Sequence, residues 1–170
     1  YLAISAGNIR YLLELVGYAL RAQFELDGGL PHEVSPRVQT EAAQQVGEKA
    51  IENLRGLSHI GSDVSRFMLG LGRCFQVMSH DPLGHAPEVT QFRVVDASGE
   101  RSEPLEVIDV AVMHAGVRRF RSDKFKGTSG EIRDYDYQIH PILAPFFVCS
   151  HRRKRRMELP SELVLQLSRH

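Results

Sequence analysis

Two clusters of basic side chains are the residues of this sequence whose types and spacing best suit chemistry, and that chemistry is contact with phosphate groups. The first cluster, in which Phe120 and Phe125 are interleaved, comprises Arg118, Arg119, Arg121, Lys124 and Lys126. The second is an unbroken run of five, Arg152, Arg153, Lys154, Arg155 and Arg156. Such side chains can neutralise the phosphates of a polyanion, including duplex DNA. Two alternatives stay open: the first cluster protects the edge of a strand against pairing, or the second is only solvated.

The sequence contains no set of residues that predicts a self-sufficient catalytic site. It lacks the Gly-x-Ser-x-Gly elbow and other nucleophile motifs. Asp134 and Asp136 alternate with aromatic residues, so we expect both on the solvent face of a strand and not in a cleft. No zinc-binding spacing is found among His80, His85, Cys149 and His151. We therefore predict neither a general acid/base pair nor a metal site.

Composition limits the class of protein. The 21 basic residues balance 21 acidic ones, so no global field attracts the chain to DNA or a membrane, and any electrostatic function must be local. The 170 residues, 42% of them hydrophobic, are enough for one core plus an appended piece. No apolar run is long enough to span a bilayer, and no signal peptide is recognisable.

The cysteines and the first residue bear on where the chain belongs. Only Cys74 and Cys149 are present, without paired spacing, and Cys74 lies in an apolar helical pattern where we expect a buried thiol. This usage is typical of the cytoplasm. The sequence begins with Tyr1 and not Met, which suggests that residue 1 is an interior position of a longer chain.

Helical periodicity predicts three long helices. Apolar residues from Ile9 to Phe24 follow the helical period, and Asp27-Gly28-Gly29 ends the segment because glycine readily adopts the left-handed conformation. Ser35-Pro36 predicts a capped start for a second helix over 36–57. A third helix begins at Ser62 and has the strongest apolar face of the chain.

The remainder is predicted to be mixed. A short strand over 90–95 and a short helix over 104–115 precede a β-hairpin with strands at 117–125 and 133–139, and a last helix covers 160–167. The fold class is therefore α+β and mainly helical. This element order, in which helices are followed by a strand, a helix and a hairpin, is typical of an elaborated winged helix. In such a domain the hairpin is the wing, and a preceding helix is the candidate DNA-recognition helix.

The opening of the first long helix resembles a known motif. Gly7-Asn8-Ile9-Arg10 resembles the sensor-2 motif in the lid of AAA+ ATPases, and the chain after this helix looks like the winged helix of origin-recognition-type (ORC-like) members. The segment 140–146 and the basic run after it also look like the end of bacterial chains of this class. The resemblance implies a lid portion at 1–30 and a winged-helix domain at 36–170.

The resemblance also implies roles for residues. Arg10 matches the arginine that reaches the terminal phosphates of ATP, bound with Mg²⁺, and Asn8 belongs to the same motif. The chain departs from the family pattern because it has no Gly-x-x-x-x-Gly-Lys-Ser/Thr phosphate loop and no Asp-Glu metal-binding strand. We therefore expect that it neither binds nor hydrolyses ATP alone, and that an ATPase core lies upstream in the same polypeptide.

Three functional hypotheses remain open at this point. The first is a regulatory, DNA-binding region of an AAA+ ATPase, whose partners are double-stranded DNA, its own core and possible further subunits. The second is a protein-interaction module that docks the ATPase to a partner or effector subunit. The third is a free-standing winged-helix transcription regulator, with the helix at 7–26 as a dimerisation element. The sequence does not choose a DNA site, an oligomeric state or a pathway among replication, mobile elements and phage defence.

Overall fold

A computed structural model describes residues 1–29, 32–80, 88–95, 103–121 and 135–169, except for the side chains of 103–105. In these ranges the helices are α1 (Leu2–Ser5), α2 (Ile9–Asp27), α3 (Pro36–Arg55), α4 (Gly61–His80), α5 (Glu103–Met113) and α6 (Ser161–Arg169). The strands are β1 (Val89–Val95), β2 (Val117–Arg121), β3 (Tyr135–Ile139) and β4 (Arg155–Pro160). The chain is thus a mainly helical α+β structure with a four-stranded sheet, and its fold class is confirmed at that level.

Side-chain caps and glycine fix the ends of α2 and the start of α3. The Asn8 side chain accepts a hydrogen bond from the Arg10 backbone N–H at 3.0 Å, and Gly28 ends α2 with a left-handed φ of 68°. Ser35 caps α3 by accepting from the Val38 N–H at 3.4 Å. The predicted helix boundaries are confirmed here to within a few residues, whereas the short α1 was not predicted.

Helices α3 and α4 form the centre of the core because each carries one continuous apolar stripe. The buried stripe of α4 includes Phe67, Leu71 and Phe75, as predicted. Gly72 of the same helix lies so close to the Phe147 ring that a Cβ atom at this position would overlap the ring. Cys74 is exposed, so the prediction of a buried thiol is wrong. The reason is that Cys74 lies just outside the stripe that faces the core.

The sheet has the strand order β2-β3-β1-β4. β2 and β3 pair antiparallel, which confirms the predicted hairpin for these strands, and β3 also pairs antiparallel with β1. Residues 122–134, including the predicted turn, lie outside the described residues. β4 pairs parallel with β1 and was not predicted, because the sequence suggested only a basic run followed by a helix.

One hydrophobic core joins the two predicted domains. Tyr11 and Leu15 of α2 belong to the same buried cluster as residues of α3, α4, α5 and the sheet. The division into a lid portion at 1–30 and a winged-helix domain at 36–170 stays a prediction, and α2 shares its core with the rest of the described chain. Among the helices in the described ranges, none combines the length and apolar content needed to cross a bilayer.

Candidate nucleic-acid interface

Strand alternation divides the first basic cluster between the two faces of the sheet. Arg119 is opposite Tyr137, a core residue, and Phe120 is opposite Asp136. Residues that are directly opposite each other project to the same face, so Arg119 and Arg121 share the face that the helices cover. Arg118 and Phe120 project to the other face, which we name the outer sheet face. The hairpin arginines are therefore not one continuous surface.

Arg119 has partners on the helix-covered face. Its guanidinium pairs with Asp109 of α5 at 3.1 Å and lies over the Tyr135 ring, 4.7 Å from its centroid. Arg121 is exposed at the end of β2. Lys124 and Lys126, the other members of the cluster, lie outside the described residues.

The outer sheet face brings the two basic clusters together around one aromatic ring. The guanidinium carbon of Arg118 lies 5.1 Å from the Phe120 ring centroid, and that of Arg153 lies 4.3 Å from it. Arg153 also donates from Nε to Oε1 of Gln91 on β1 at 3.2 Å. Residues more than thirty positions apart in the sequence thus form one basic surface. The ring orients both cations through cation–π contacts.

Hydrogen bonds hold the backbone of residues 151–154 against the sheet. The Gln138 side chain donates to the His151 carbonyl at 3.0 Å, and the Gln91 side chain donates to that of Lys154. Thr90 Oγ1 donates to the Arg152 carbonyl at 2.9 Å and accepts from the Lys154 N–H at 2.8 Å. These bonds explain why polar Gln91 and Gln138 are buried. The segment is therefore a fixed platform for its basic side chains.

The exposed members of the basic run surround this platform. Arg152, Lys154 and Arg155 are exposed, together with Arg153, whereas Arg156 is half-buried. Four cationic side chains thus extend into solvent from a backbone that the sheet holds in place. This arrangement suits the binding of successive phosphates, since the backbone that carries the cationic side chains needs little further ordering.

Asp136 corrects a prediction made from the sequence. We expected it on the solvent face, but it is buried, with 8% of its surface exposed. Its Oδ1 accepts from Arg93 Nε at 2.9 Å, and both of its carboxylate oxygens accept from Arg156 Nη1 at 2.9 Å. The predicted alternation is right, but the outer face is covered by arginines and by the 151–154 backbone. Asp134 lies outside the described residues.

Arg93 and Arg156 thus meet at one buried carboxylate on the outer sheet face. Arg93 was not predicted to take part in any site, although Gln91 and Arg93 alternate with Phe92 along the predicted strand. The alternation of these two polar residues with Phe92 was the signal in the sequence that could have indicated a role for Arg93. It shows that the second face of β1 is polar.

Burial also shifts two titratable groups near this region. Burial, with a contribution from the Arg118 charge, lowers the pKa of His140 from 6.5 to about 4. The neutral imidazole accepts a hydrogen bond from the Ile142 N–H at 3.2 Å and caps the 3-10 turn Pro141–Leu143. Burial and the nearby Glu88 carboxylate raise the pKa of Cys149 to about 11. Neither group is suited to proton transfer near neutral pH.

Arg10 and Asn8 lie far along the chain from the basic surface, at the start of α2. The Arg10 side chain is 70% exposed and donates from Nε to Glu14 Oε1 at 3.2 Å. Asn8 uses its side-chain oxygen to cap the helix. Arg10 is therefore accessible to a phosphate carried by another module, while Asn8 positions the helix that presents it.

The lining of one surface cavity and the positions of possible metal ligands bear on whether the described residues could hold a nucleotide or a metal ion. A surface cavity of about 440 Å³ beside α3 is lined by Glu41, Gln44, Gln45, Glu48 and Phe146, and its carboxylates would repel the phosphates of ATP. No group of three or more His, Cys, Asp or Glu side chains in the described ranges could hold a metal ion. The residues that line this cavity therefore do not fit ATP with Mg²⁺.

Comparison with known proteins supplies the family. A family model described as ORC-CDC6-like matches residues 1–159. No curated protein sequence and no solved structure matches the chain significantly. The family generally binds ATP with Mg²⁺ and contains AAA+ ATPases, which agrees with the resemblance carried by residues 7–10. Since the match covers nearly the whole chain, the protein belongs to the ORC-CDC6-like family.

Proposed function

We propose that this chain is the DNA-binding and regulatory region of an ORC-CDC6-like AAA+ ATPase, and that its outer sheet face contacts duplex DNA. The observation that carries the proposal is the convergence of Arg118 and Arg153 on Phe120, beside a basic run that the sheet holds rigid. In a chain whose formal charge balances, this local concentration of cations suits a partner that is anionic at that place.

The distribution of the remaining charges favours the outer sheet face as the DNA-contacting surface, and not α5, the helix before the hairpin. Helix α5 has no Lys or Arg, and its Glu106 is exposed and its Asp109 partly exposed, so it would repel a phosphate backbone. Antiparallel β2 and β3 next to β1, with α3, α4 and α5 behind them, support a winged-helix-type arrangement. In this proposal the wing and the outer sheet face bind DNA, and α5 does not enter the groove.

Fluorescence anisotropy of a labelled DNA duplex tests the proposal. The chain should bind with an affinity that falls steeply over roughly 50 to 200 mM salt, because each neutralised phosphate adds about 0.9 to the slope of log affinity against log salt. Arg153→Ala should weaken binding to all duplexes alike and reduce the slope by about 1. The absence of any salt-sensitive binding at low ionic strength would remove the proposed function.

A matched control separates this surface from general charge. Arg37 is an arginine of α3 whose side chain is 88% exposed and pairs with Glu41 at 2.8 Å. Arg37→Ala removes the same charge from a different part of the molecule. It should leave both the affinity and the salt slope nearly unchanged, and an effect equal to that of Arg153→Ala would show that binding is not localised.

We further propose that Arg10 senses nucleotide bound by an ATPase core elsewhere in a longer polypeptide. Its exposed guanidinium at a capped helix start can contact the terminal phosphates, and movement of α2 would then reposition the DNA-binding part, with which it shares a core. In the complete ATPase, Arg10→Ala should lower ATP hydrolysis and uncouple DNA affinity from nucleotide state. Arg37→Ala is again the control.

A second candidate function is a protein-interaction module, which the exposed apolar side chains of α2 favour. Charge reversal at Arg118 and Arg153, the two arginines that contact Phe120 on the outer sheet face, discriminates between the two functions. Loss of DNA binding with intact complex formation supports the first function, and intact DNA binding with a lost complex supports the second.

A further inference from the structure

Glu14 lies one helical turn after Arg10 and connects that arginine to α3. Glu14 Oε1 accepts from Arg10 Nε at 3.2 Å, and Lys49 Nζ of α3 lies 3.5 Å from the same oxygen. The Lys49 ammonium also lies 5.5 Å from the centroid of the Tyr18 ring, one further turn along α2. The carboxylate that Arg10 contacts is therefore tied to a second helix.

A second arginine–glutamate pair of the same spacing shows what is particular about Glu14. Arg37 and Glu41 of α3 also join Nε to Oε1 across one turn, at 2.8 Å, but the Glu41 side chain is 51% exposed. The Glu14 side chain is only 18% exposed and has Lys49 as its second partner. A surface ion pair is weak in part because holding two long side chains in one geometry costs entropy. Glu14 has already lost much of that freedom, so it can fix Arg10 at a smaller cost.

Helix stability does not account for a cation at the position of Arg10. The N-terminus of a helix carries a partial positive charge, which favours acidic side chains in the first turn and disfavours basic ones. Helix α2 has Arg10 in its first turn and no acidic side chain there. Pairs of this spacing also stabilise a helix better when glutamate precedes the basic residue, which is the reverse of the order found here. The position of Arg10 therefore suits an anion that comes from outside the helix.

The contact with Glu14 determines which part of the Arg10 guanidinium is available. The contact uses Nε, and no hydrogen bond of Nη1 or Nη2 is found within the described residues. These two nitrogens can donate together to two oxygens of one phosphate. Lys49 leaves the cluster of Arg10, Glu14 and Lys49 with one positive charge in excess. Glu14 therefore does not cancel the attraction of this cluster for a phosphate.

We propose that Glu14 is a positioning residue for Arg10 and that Lys49 anchors Glu14. The carboxylate holds the guanidinium by Nε, so that both Nη groups face the terminal phosphates of a nucleotide bound by the ATPase core. This role rests on the nucleotide-sensing function proposed above for Arg10, and it assigns the residues that orient its side chain.

Side-chain mobility tests the positioning in the chain itself. NMR relaxation of arginine Nε nuclei should show less picosecond-to-nanosecond motion for Arg10 than for Arg21, an exposed arginine of α2 that has no ion pair among the described residues. Glu14→Ala should raise the mobility of Arg10 to that of Arg21. Glu14→Gln keeps an oxygen that can accept from Nε and should retain most of the restriction. An Arg10 side chain as mobile as that of Arg21 in the unaltered chain overturns the proposal.

ATP hydrolysis by the complete ATPase tests the consequence for function. Glu14→Ala should lower kcat about 10-fold while KM for ATP changes less, because a misplaced group loses contacts made in the transition state. Lys49→Met should lower kcat by a smaller factor, and Glu14→Gln should restore most of the activity. Glu41→Ala is the matched control, since it removes the carboxylate of the Arg37 pair, and it should change nothing.

A double-mutant cycle separates positioning from general damage to the fold, which thermal unfolding of each variant also checks. In the Arg10→Ala background, Glu14→Ala should have almost no further effect on kcat, because no guanidinium is left to orient. If Arg10→Ala lowers hydrolysis but Glu14→Ala either has no effect alone or keeps its full effect in that background, the positioning role is overturned and the role of Arg10 stands. If Arg10→Ala itself leaves hydrolysis unchanged, the nucleotide-sensing function fails, and the positioning role fails with it.

Discussion

Replacing Asp136 by Asn removes the one carboxylate that Arg93 and Arg156 share on the outer sheet face, while it keeps the size of the side chain. Breaking a buried ion pair by removing one partner costs about 3 to 5 kcal/mol, because the remaining charge stays desolvated. Here the side chains of Arg93 and Arg156 are 14% and 30% exposed, so water reaches them in part and about 2 to 3 kcal/mol is the appropriate range. For a chain of this size, the midpoint of thermal unfolding should fall by roughly 5 to 10 °C.

The same change should strengthen DNA binding. The outer sheet face loses a buried negative charge, and the Arg156 guanidinium is released from its carboxylate partner. The slope of log affinity against log salt should therefore steepen by about 1. A variant that is less stable and binds DNA more tightly is difficult to explain by general damage to the fold.

Urea unfolding and anisotropy titrations measure both effects. Asp109→Asn is the control, since Asp109 pairs with Arg119 in an exposed position and its loss should cost about 0.5 kcal/mol or less. In a double-mutant cycle, Asp136→Asn and Arg156→Gln should couple by about 1 to 3 kcal/mol. A loss below about 1 kcal/mol for Asp136→Asn, at an unchanged denaturant slope, would refute the assignment of Asp136 as the anchor of the two arginines.

Three further changes test other parts of the structure. The folded-state pKa of His140, about 4, lies below its ordinary value of 6.5, so the unfolded chain binds the proton more readily. Up to about 3 kcal/mol of stability should therefore be lost as pH falls from 6.5 towards 4. The variant His140→Asn keeps an acceptor that can cap the turn, so urea unfolding at several pH values should show no such loss for it. Cys74 is exposed, whereas burial raises the pKa of Cys149 to about 11. A disulfide reagent near neutral pH should therefore modify the Cys74 thiol quickly, and Cys74→Ser should abolish this fast phase. A fast phase that survives in Cys74→Ser contradicts the prediction. Gly72→Ala should lower the free energy of unfolding by about 1 to 3 kcal/mol because the new methyl group overlaps the Phe147 ring. Adding Phe147→Leu should recover part of that loss. An unchanged free energy of unfolding in Gly72→Ala would mean that the ring moves freely.

The local signals in the sequence were sufficient for the helices and the hairpin strands. Ser35 and Gly28 act on backbone groups a few residues away, so their positions indicated where α3 begins and where α2 ends. The apolar stripe of α4 was readable for the same reason, since a periodic pattern implies a covered face. The motif at residues 7–10 led to the family for a different reason, namely resemblance, and the family match agrees with it.

The tertiary structure decided what the basic residues form. Strand β4 pairs with a strand some sixty residues earlier, and its own sequence, Arg-Arg-Met-Glu-Leu-Pro, shows no simple alternation because the pattern depends on what covers each face. Asp136 became buried for the same reason: alternation gave its face correctly, but only the folded chain brings Arg93, Arg156 and the 151–154 backbone over that face. The sequence by itself determined which residues are charged and, for Asp136 in the predicted hairpin, which side of its strand it occupies. Long-range packing determined which of those charges are neutralised and which remain available to a partner.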